Sequence, residues 1–343
     1  MKHILDLLTP FQPISLKTRE ETLGQSAHSL LSIEEEDFLE EKIVILGVPD
    51  ERGILLNQGN LGAKEGPGAF RKAFYTLYDQ PFTDSLGAKI IDAGNVALGD
   101  DISSTHEKLA NAVAYFFSKK VQTVVVVGGG HDFSYGSYKG CQQGINGIIP
   151  IINFDAHLDL RPVVGGQINS GTPFSRIIEH FPNSIDHGRA ILELGIQQNR
   201  NPASLFDFAD KHQVKIVEYR DQAWHPRVSY DQKSQKYNES RKPVDFIKEH
   251  LQPYQSREPK RELERLHISL DLDVFASWIA PGTSASTPFG CETAEVIHGI
   301  EFLMSASTSR VLDIAELCPS RDFNSQTARL AASVVYQALT SSR

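Results

Sequence analysis

From Ile43 onward the chain alternates short apolar runs with longer stretches whose apolar residues recur at helical spacing. The runs are short and rich in Val and Ile, the pattern of strands buried on both faces. They fall at 43–48, 88–92, 121–128, 148–154, 189–196, 214–219, 265–271 and 310–316. Between them the spacing predicts helices at 104–120, 134–144, 172–181, 202–212, 292–305 and 324–340. Strands alternating with helices build βαβ units, so an α/β fold with a largely parallel sheet covered on both faces is expected. Residues 1–40 lack this pattern and read as an N-terminal arm. No repeat or low-complexity linker divides residues 41–343, which read as one domain. The polar segment 224–242, with Tyr230, Lys233, Gln235, Lys236 and Asn238, reads as a surface insertion, either a solvated loop or a lid or subunit contact.

Composition narrows the function. A net charge of −9 supplies no basic patch for nucleic acid, so no nucleic-acid partner is expected. Three scattered cysteines, Cys141, Cys291 and Cys318, exclude a disulfide framework and suit a reducing compartment. The N-terminus has no apolar stretch of signal-peptide length, and nothing approaches a membrane span. A cytoplasmic protein without a membrane partner is expected.

Chemistry concentrates in three segments. Ile151-Ile152-Asn153-Phe154 leads into Asp155-Ala156-His157-Leu158-Asp159, Ser269-Leu270 leads into Asp271-Leu272-Asp273, and Val124–Val127 leads through three glycines to His131. Alternate residues of an extended chain share a face, which would aim Asp155, His157 and Asp159 at one point and pair Asp271 with Asp273. Each cluster follows an apolar run, at the strand edge where open α/β sheets place ligands. Buried carboxylates in this number need cations. A carboxylate-rich set with imidazole suits Mn²⁺, with Fe²⁺, Co²⁺ and Zn²⁺ as competitors. Six ligands exceed one tetrahedral ion and suit two ions roughly 3.5–4 Å apart. The run Gly128-Gly129-Gly130-His131 could cradle phosphate, but it lacks a P-loop's Lys-Ser/Thr. A tight turn delivering His131 is the better reading.

The ordered triplet GGGHDFSYG, NFDAHLD and SLDLDVF resembles the ureohydrolases: arginase, agmatinase and formimidoylglutamase. The resemblance spans about residues 43–340, through Gly47-Val48-Pro49, Asn57, Gly59, Gly62-Ala63, Gly66-Pro67 and Arg71, and closes with Asp313-Ile314-Ala315-Glu316 and Pro319. It implies an arginase-like three-layer α/β/α sandwich with a mostly parallel central sheet, and two Mn²⁺ per subunit held by His131, Asp155, His157, Asp159, Asp271 and Asp273. It also implies that Glu316 grips an amidine or guanidine nitrogen, that Asp159 passes a proton to the leaving amine, and that the chain forms a homo-oligomer. Within the family, arginases carry Asn where Arg161 stands, and a proton-shuttling His near Phe174. DAHLDLRP, SGTPF, DLDVF with APG-x-SA, DIAE and the closing Gln326–Leu330 look most like formimidoylglutamase. That enzyme hydrolyses N-formimidoyl-L-glutamate to L-glutamate and formamide in histidine degradation. Arg161 offers a bidentate fork for a carboxylate of a small anionic amidine substrate. Ser170 is either a further substrate donor or a turn residue. Arg71, Arg176 and the Gln197-Gln198 pair are candidates for the second carboxylate. Alternatives are another ureohydrolase (arginase, agmatinase or a guanidino-acid hydrolase), a catalytically silent homologue, or a two-metal phosphoesterase.

Overall fold

The computed structural model describes residues 2–11, 20–34, 42–79, 85–219, 229–231, 236–238, 242–255 and 262–341. Its strands are β1 Leu8–Thr9, β2 His28–Ser29, β3 Ile43–Val48, β4 Ile90–Val96, β5 Thr123–Gly128, β6 Ile151–Phe154, β7 Ile191–Ile196, β8 Lys215–Glu218, β9 Ser229–Asp231, β10 Lys236–Asn238, β11 Leu263–Asp271 and β12 Ser307–Ala315. Ten of them form one sheet in the order β1-β4-β3-β5-β12-β11-β6-β7-β8, with β2 also pairing β4. Every pairing in it is parallel except β1 with β4. Each predicted run becomes a strand. The second begins at Ile90 because Leu86–Lys89 is a helical turn, capped by the Ser85 hydroxyl, which accepts the Ala88 amide at 3.0 Å.

Alternation sorts the strands' side chains into two cores. Ile45, Val125, Val127, Ile152, Phe154, Ile268, Leu270, Leu312 and Ile314 face one layer of helices. Val44, Leu46, Val124, Val126, Ile151, Ile191 and Val311 face the other. Helices Gly66–Phe74, Pro243–Leu251, Thr293–Ser305 and Gln326–Ser341 contribute to the first core; Ile102–Ser118, Ser134–Gln142 and Pro173–His180 contribute to the second. The result is an α/β/α sandwich. Two of these helices were illegible in the sequence. Gly66–Phe74 opens on Gly-Pro-Gly, which reads as a turn, yet proline at a helix's first turn loses no needed N–H.

The described part of the arm is attached to the sheet. Leu8 pairs with Val96, His28 pairs with Ile91, and Ile4, Leu8, Leu30 and Ile33 are buried. Most of the 224–242 insertion lies outside the described residues; within it, β9 and β10 pair as an antiparallel ribbon.

Candidate metal centre and its pocket

Four adjacent strands, β5, β12, β11 and β6, end side by side and place His131, Glu316, Asp271 and Asp155 along one edge. Strand alternation is not what gathers the remaining acids, contrary to the sequence expectation. β6 stops at Phe154, before all three of its candidate ligands, and Asp273 lies in a 3-10 turn, Leu272–Val274. An Asx-type turn operates twice instead. Asp155 Oδ1 accepts the His157 amide at 2.6 Å, and Asp271 Oδ1 accepts the Asp273 amide at 2.9 Å. Each aspartate thereby curls the chain after its strand and brings the next ligand back. Asp159 completes the loop in the left-handed region, φ 48°.

The six side chains converge. His131 Nδ1 lies 3.2 Å from Asp155 Oδ2, 3.0 Å from Asp159 Oδ2 and 3.3 Å from Asp271 Oδ2. His157 Nδ1 lies 2.9 Å from Asp273 Oδ2 and 3.5 Å from Asp155 Oδ1. Two ligand groups result, His131–Asp155–Asp271 and Asp155–His157–Asp273, and Asp155 belongs to both. His131 Nδ1 and Asp155 Oδ2 are buried and, close as they are, have no aligned hydrogen-bond partner among the described residues. An imidazole nitrogen and several carboxylate oxygens turned toward one point fit divalent cations shared through Asp155.

Electrostatics agree with that fit. Burial, then the charges of Asp273 and Asp155, hold the Asp271 carboxyl well above the usual range. Burial and Asp155 likewise raise Asp159. Burial opposes a charged His131, but Asp155, Asp159 and Asp271 outweigh it and raise the ring well above its ordinary value; Asp273 and Asp155 do the same for His157. Without cations, these groups hold protons in their place.

The far ring nitrogen is fixed from below. His131 Nε2 meets the Ser269 hydroxyl at 2.7 Å, and both residues are fully buried. Ser269, two positions before Asp271, was not singled out in the sequence, although alternation places it on the same face. In register with it across the sheet stand Asp313, Asn153 and Glu193. Asp313 accepts from Ser137 and lies 2.9 Å from His267 Nε2, while Asn153 donates to Glu193 at 2.7 Å. A polar row thus underlies the centre.

The glycine run is a close-packed turn. A Cβ on Gly129 would lie 2.0 Å from the Asp50 carbonyl oxygen, and one on Gly128 would strike the Phe133 ring. The Gly129 and Gly130 amides donate to Val48 and Asp50 carbonyls, so they are not free for phosphate. Glu316, at φ 64°, accepts the His131 amide on Oε1 at 2.8 Å and the Ser284 hydroxyl on Oε2. Burial pushes its carboxyl up to about 8. Phe174 sets its ring edge against His131, with centroids 5.5 Å apart.

A pocket opens over this centre, lined by His157, Asp159, Asp271, Asp273 and Glu316 and by Arg161 and Ser170. Ser170 is nearly buried, and its hydroxyl accepts from Asn57 Nδ2 at 3.0 Å. Ser284, Asn57, Arg200 and Asn201 also line the pocket; Asn57 and Ser284 stand in motifs of the family resemblance without an assigned role, whereas Arg200 and Asn201 carried no local signal beyond polarity. The candidates for the second carboxylate are engaged elsewhere. Arg71 is paired with Asp92 at 2.9 Å in the core, and Arg176 stacks 3.6 Å over Tyr135. Gln197 donates to the Phe289 carbonyl and Gln198 to Glu218.

Residues 41–340 match the sequence model of the arginase family. Formimidoylglutamase of Lysinibacillus sphaericus is 34% identical over 298 residues, covering 86% of this chain and 83% of that protein. Formimidoylglutamase of Legionella pneumophila strain Lens is 28% identical over 339 residues, 96% of each chain. The crystal structure of Trypanosoma cruzi formiminoglutamase with Mn²⁺ superposes with a TM-score of 0.74 at 25% identity, covering 91% of this chain and 96% of that one. With a parallel sheet whose adjacent strand ends carry the acids and histidines, and a match across nearly its whole length, this chain belongs to the arginase family.

Proposed function

We propose that the protein hydrolyses the C–N bond of a linear amidine, N-formimidoyl-L-glutamate, giving L-glutamate and formamide. The observation that carries this is one pocket lined by His157, Asp159, Asp271, Asp273, the acid Glu316 and the cation Arg161, with the buried His131 and Asp155 converging on the same carboxylates. The relatives' shared activity supports the substrate choice. The six residues are the proposed ligands of two Mn²⁺ ions, which when bound supply water of lowered pKa and Lewis-acid stabilisation of developing negative charge.

The chain's own residues do the rest. Glu316 already accepts one hydrogen bond on each oxygen. A carboxylate has about four acceptor sites, so two remain for amidine N–H groups. A cationic amidine arriving there favours the ionised carboxylate and offsets the burial that raises it. Glu316 therefore selects and orients the formimidoyl end. Asp159 Oδ2 faces His131, and its carboxylate borders the pocket. It takes the proton of the attacking water and delivers it to the leaving amine nitrogen. The C–O bond forms first, giving a tetrahedral carbon; the C–N bond then breaks as the proton reaches the departing nitrogen, leaving formamide and glutamate's amine. Arg161 holds a substrate carboxylate and Ser170 borders the same space. The reading extends to one catalytic domain over 41–343 behind an N-terminal arm, forming a homo-oligomer in the cytoplasm and serving histidine breakdown.

The test is incubation of the manganese-loaded protein with N-formimidoyl-L-glutamate, L-arginine and agmatine in parallel. Glutamate and formamide from the first alone are expected. Urea from either guanidine would overturn the substrate reading, and metal binding without turnover on any of them would overturn the enzymatic one.

A further inference from the structure

The pocket over the candidate metal centre has a second cation that no sequence pattern singles out. Besides Arg161, its lining includes Arg200, at the end of the 3-10 turn Gln198–Arg200 that follows β7. β6 and β7 are parallel neighbours, so Arg161 and Arg200 stand in loops at the same edge of adjacent strands.

Nearly every other arginine with a described role here is spent on structure. Arg52 pairs with Asp50 and Arg71 with Asp92, Arg176 lies on Tyr135, and Arg265 and Arg310 bond to backbone carbonyls. Arg161 and Arg200 are exposed, and their guanidinium groups have no ion-pair or hydrogen-bond partner among the described residues. Two exposed cations on the lining of this pocket, away from any ion pair among the described residues, bring no packing benefit. The turn carrying Arg200 is also fixed to the loop carrying the proposed ligands. The Asn201 side chain accepts the Leu158 amide at 2.8 Å and donates to the Ala156 and Gln197 carbonyls at 3.0 and 2.9 Å. That clamp fixes the turn that carries Arg200 to the loop that carries His157, and both residues line the pocket. Gly171 serves Arg161 similarly, since a Cβ there would lie 2.8 Å from its Cδ.

We propose that Arg161 and Arg200 form a two-armed carboxylate receptor, each taking one carboxylate of a dicarboxylic substrate while Glu316 takes its amidine. This rests on the function proposed above and deepens it: the site selects amidines that carry two carboxylates, not one. Each guanidinium can bind its carboxylate through two parallel N–H···O bonds. A site built to pair a charged group discriminates strongly against an analogue that lacks it.

The test combines binding with kinetics. Glutarate and butyrate are titrated calorimetrically into the manganese-loaded wild type and the Arg161→Gln and Arg200→Gln variants, with melting midpoints as the folding control. Wild type is expected to prefer glutarate, and Arg200→Gln to lose about 10- to 100-fold in glutarate affinity, falling to the butyrate level. Turnover of N-formimidoyl-L-glutamate is then compared with N-formimidoyl-4-aminobutyrate and N-formimidoyl-L-norvaline, each lacking one carboxylate. Arg200→Gln should be neutral on one analogue and Arg161→Gln on the other. A glutarate preference that survives Arg200→Gln, equal losses on all three substrates, or both variants sparing the same analogue would each overturn the proposal. Wild type inert on every formimidoyl amino acid would remove the reaction, and the glutarate titration would still decide the role of Arg200.

Discussion

Replacing Ser269 by alanine should weaken metal binding, because it removes the hydrogen-bond partner of the His131 ring. His131 Nε2 and the Ser269 hydroxyl are 2.7 Å apart, and both residues are fully buried. Ser134 Oγ lies 3.5 Å from Ser269 Oγ, and among the described residues no hydrogen bond joins it to the His131 ring. In Ser269→Ala the ring has two options. It keeps its proton on Nε2 and leaves a buried donor unsatisfied, at about 1–3 kcal/mol. Alternatively it moves the proton to Nδ1, where Asp155, Asp159 and Asp271 welcome it but where no lone pair is left for a cation. Loss of such a partner to a ligating histidine typically costs about 10- to 100-fold in metal affinity, or roughly 1.4–2.7 kcal/mol. Free Mn²⁺ followed by electron paramagnetic resonance during a titration gives the affinity directly. An affinity within twofold of wild type would refute the idea that Ser269 sets the histidine's tautomer.

Three more outcomes are expected. Asp155→Asn should lose both metal groups together and activity with them, because Asp155 is shared between the two sets; metal analysis finding two ions retained in an active variant would reject the assignment. Stripping the metal should lower the melting midpoint, and the gap between loaded and stripped protein should widen as pH rises from about 5 to 8. The sign follows from Asp159, Asp271, His131, His157 and Glu316, all raised in the metal-free fold, Glu316 to about 8. Groups raised on folding stabilise at low pH and lose that contribution as pH climbs through their folded values, whereas deprotonated ligands bind cations more tightly. Differential scanning fluorimetry showing a gap independent of pH would contradict this. Arg161→Ala should raise KM for N-formimidoyl-L-glutamate about tenfold or more and affect a neutral amidine much less; equal losses on both would remove Arg161 from carboxylate binding.

The sequence by itself determined the layers and the chemistry. Strands such as Thr123–Gly128 and Ile151–Phe154 are legible because burial on both faces demands continuous apolar runs, and helices such as Ile102–Ser118 because one buried face imposes a period. The clustered acids and histidines announced cations, since nothing else makes their burial tolerable. Local pattern encodes burial, but it does not encode strand order, and strand order decided the rest. Only the sequence β5-β12-β11-β6 sets His131, Glu316, Asp271 and Asp155 at one edge, and only the adjacency of β6 and β7 brings Arg200 to the pocket that Arg161 borders. Long-range packing likewise engaged Arg71 and Arg176 in the core, which no sequence signal at those two positions announced. Even within the aspartate clusters, the convergence came from Asx turns and a left-handed Asp159, conformations chosen where each strand ends and its ladder no longer dictates the backbone.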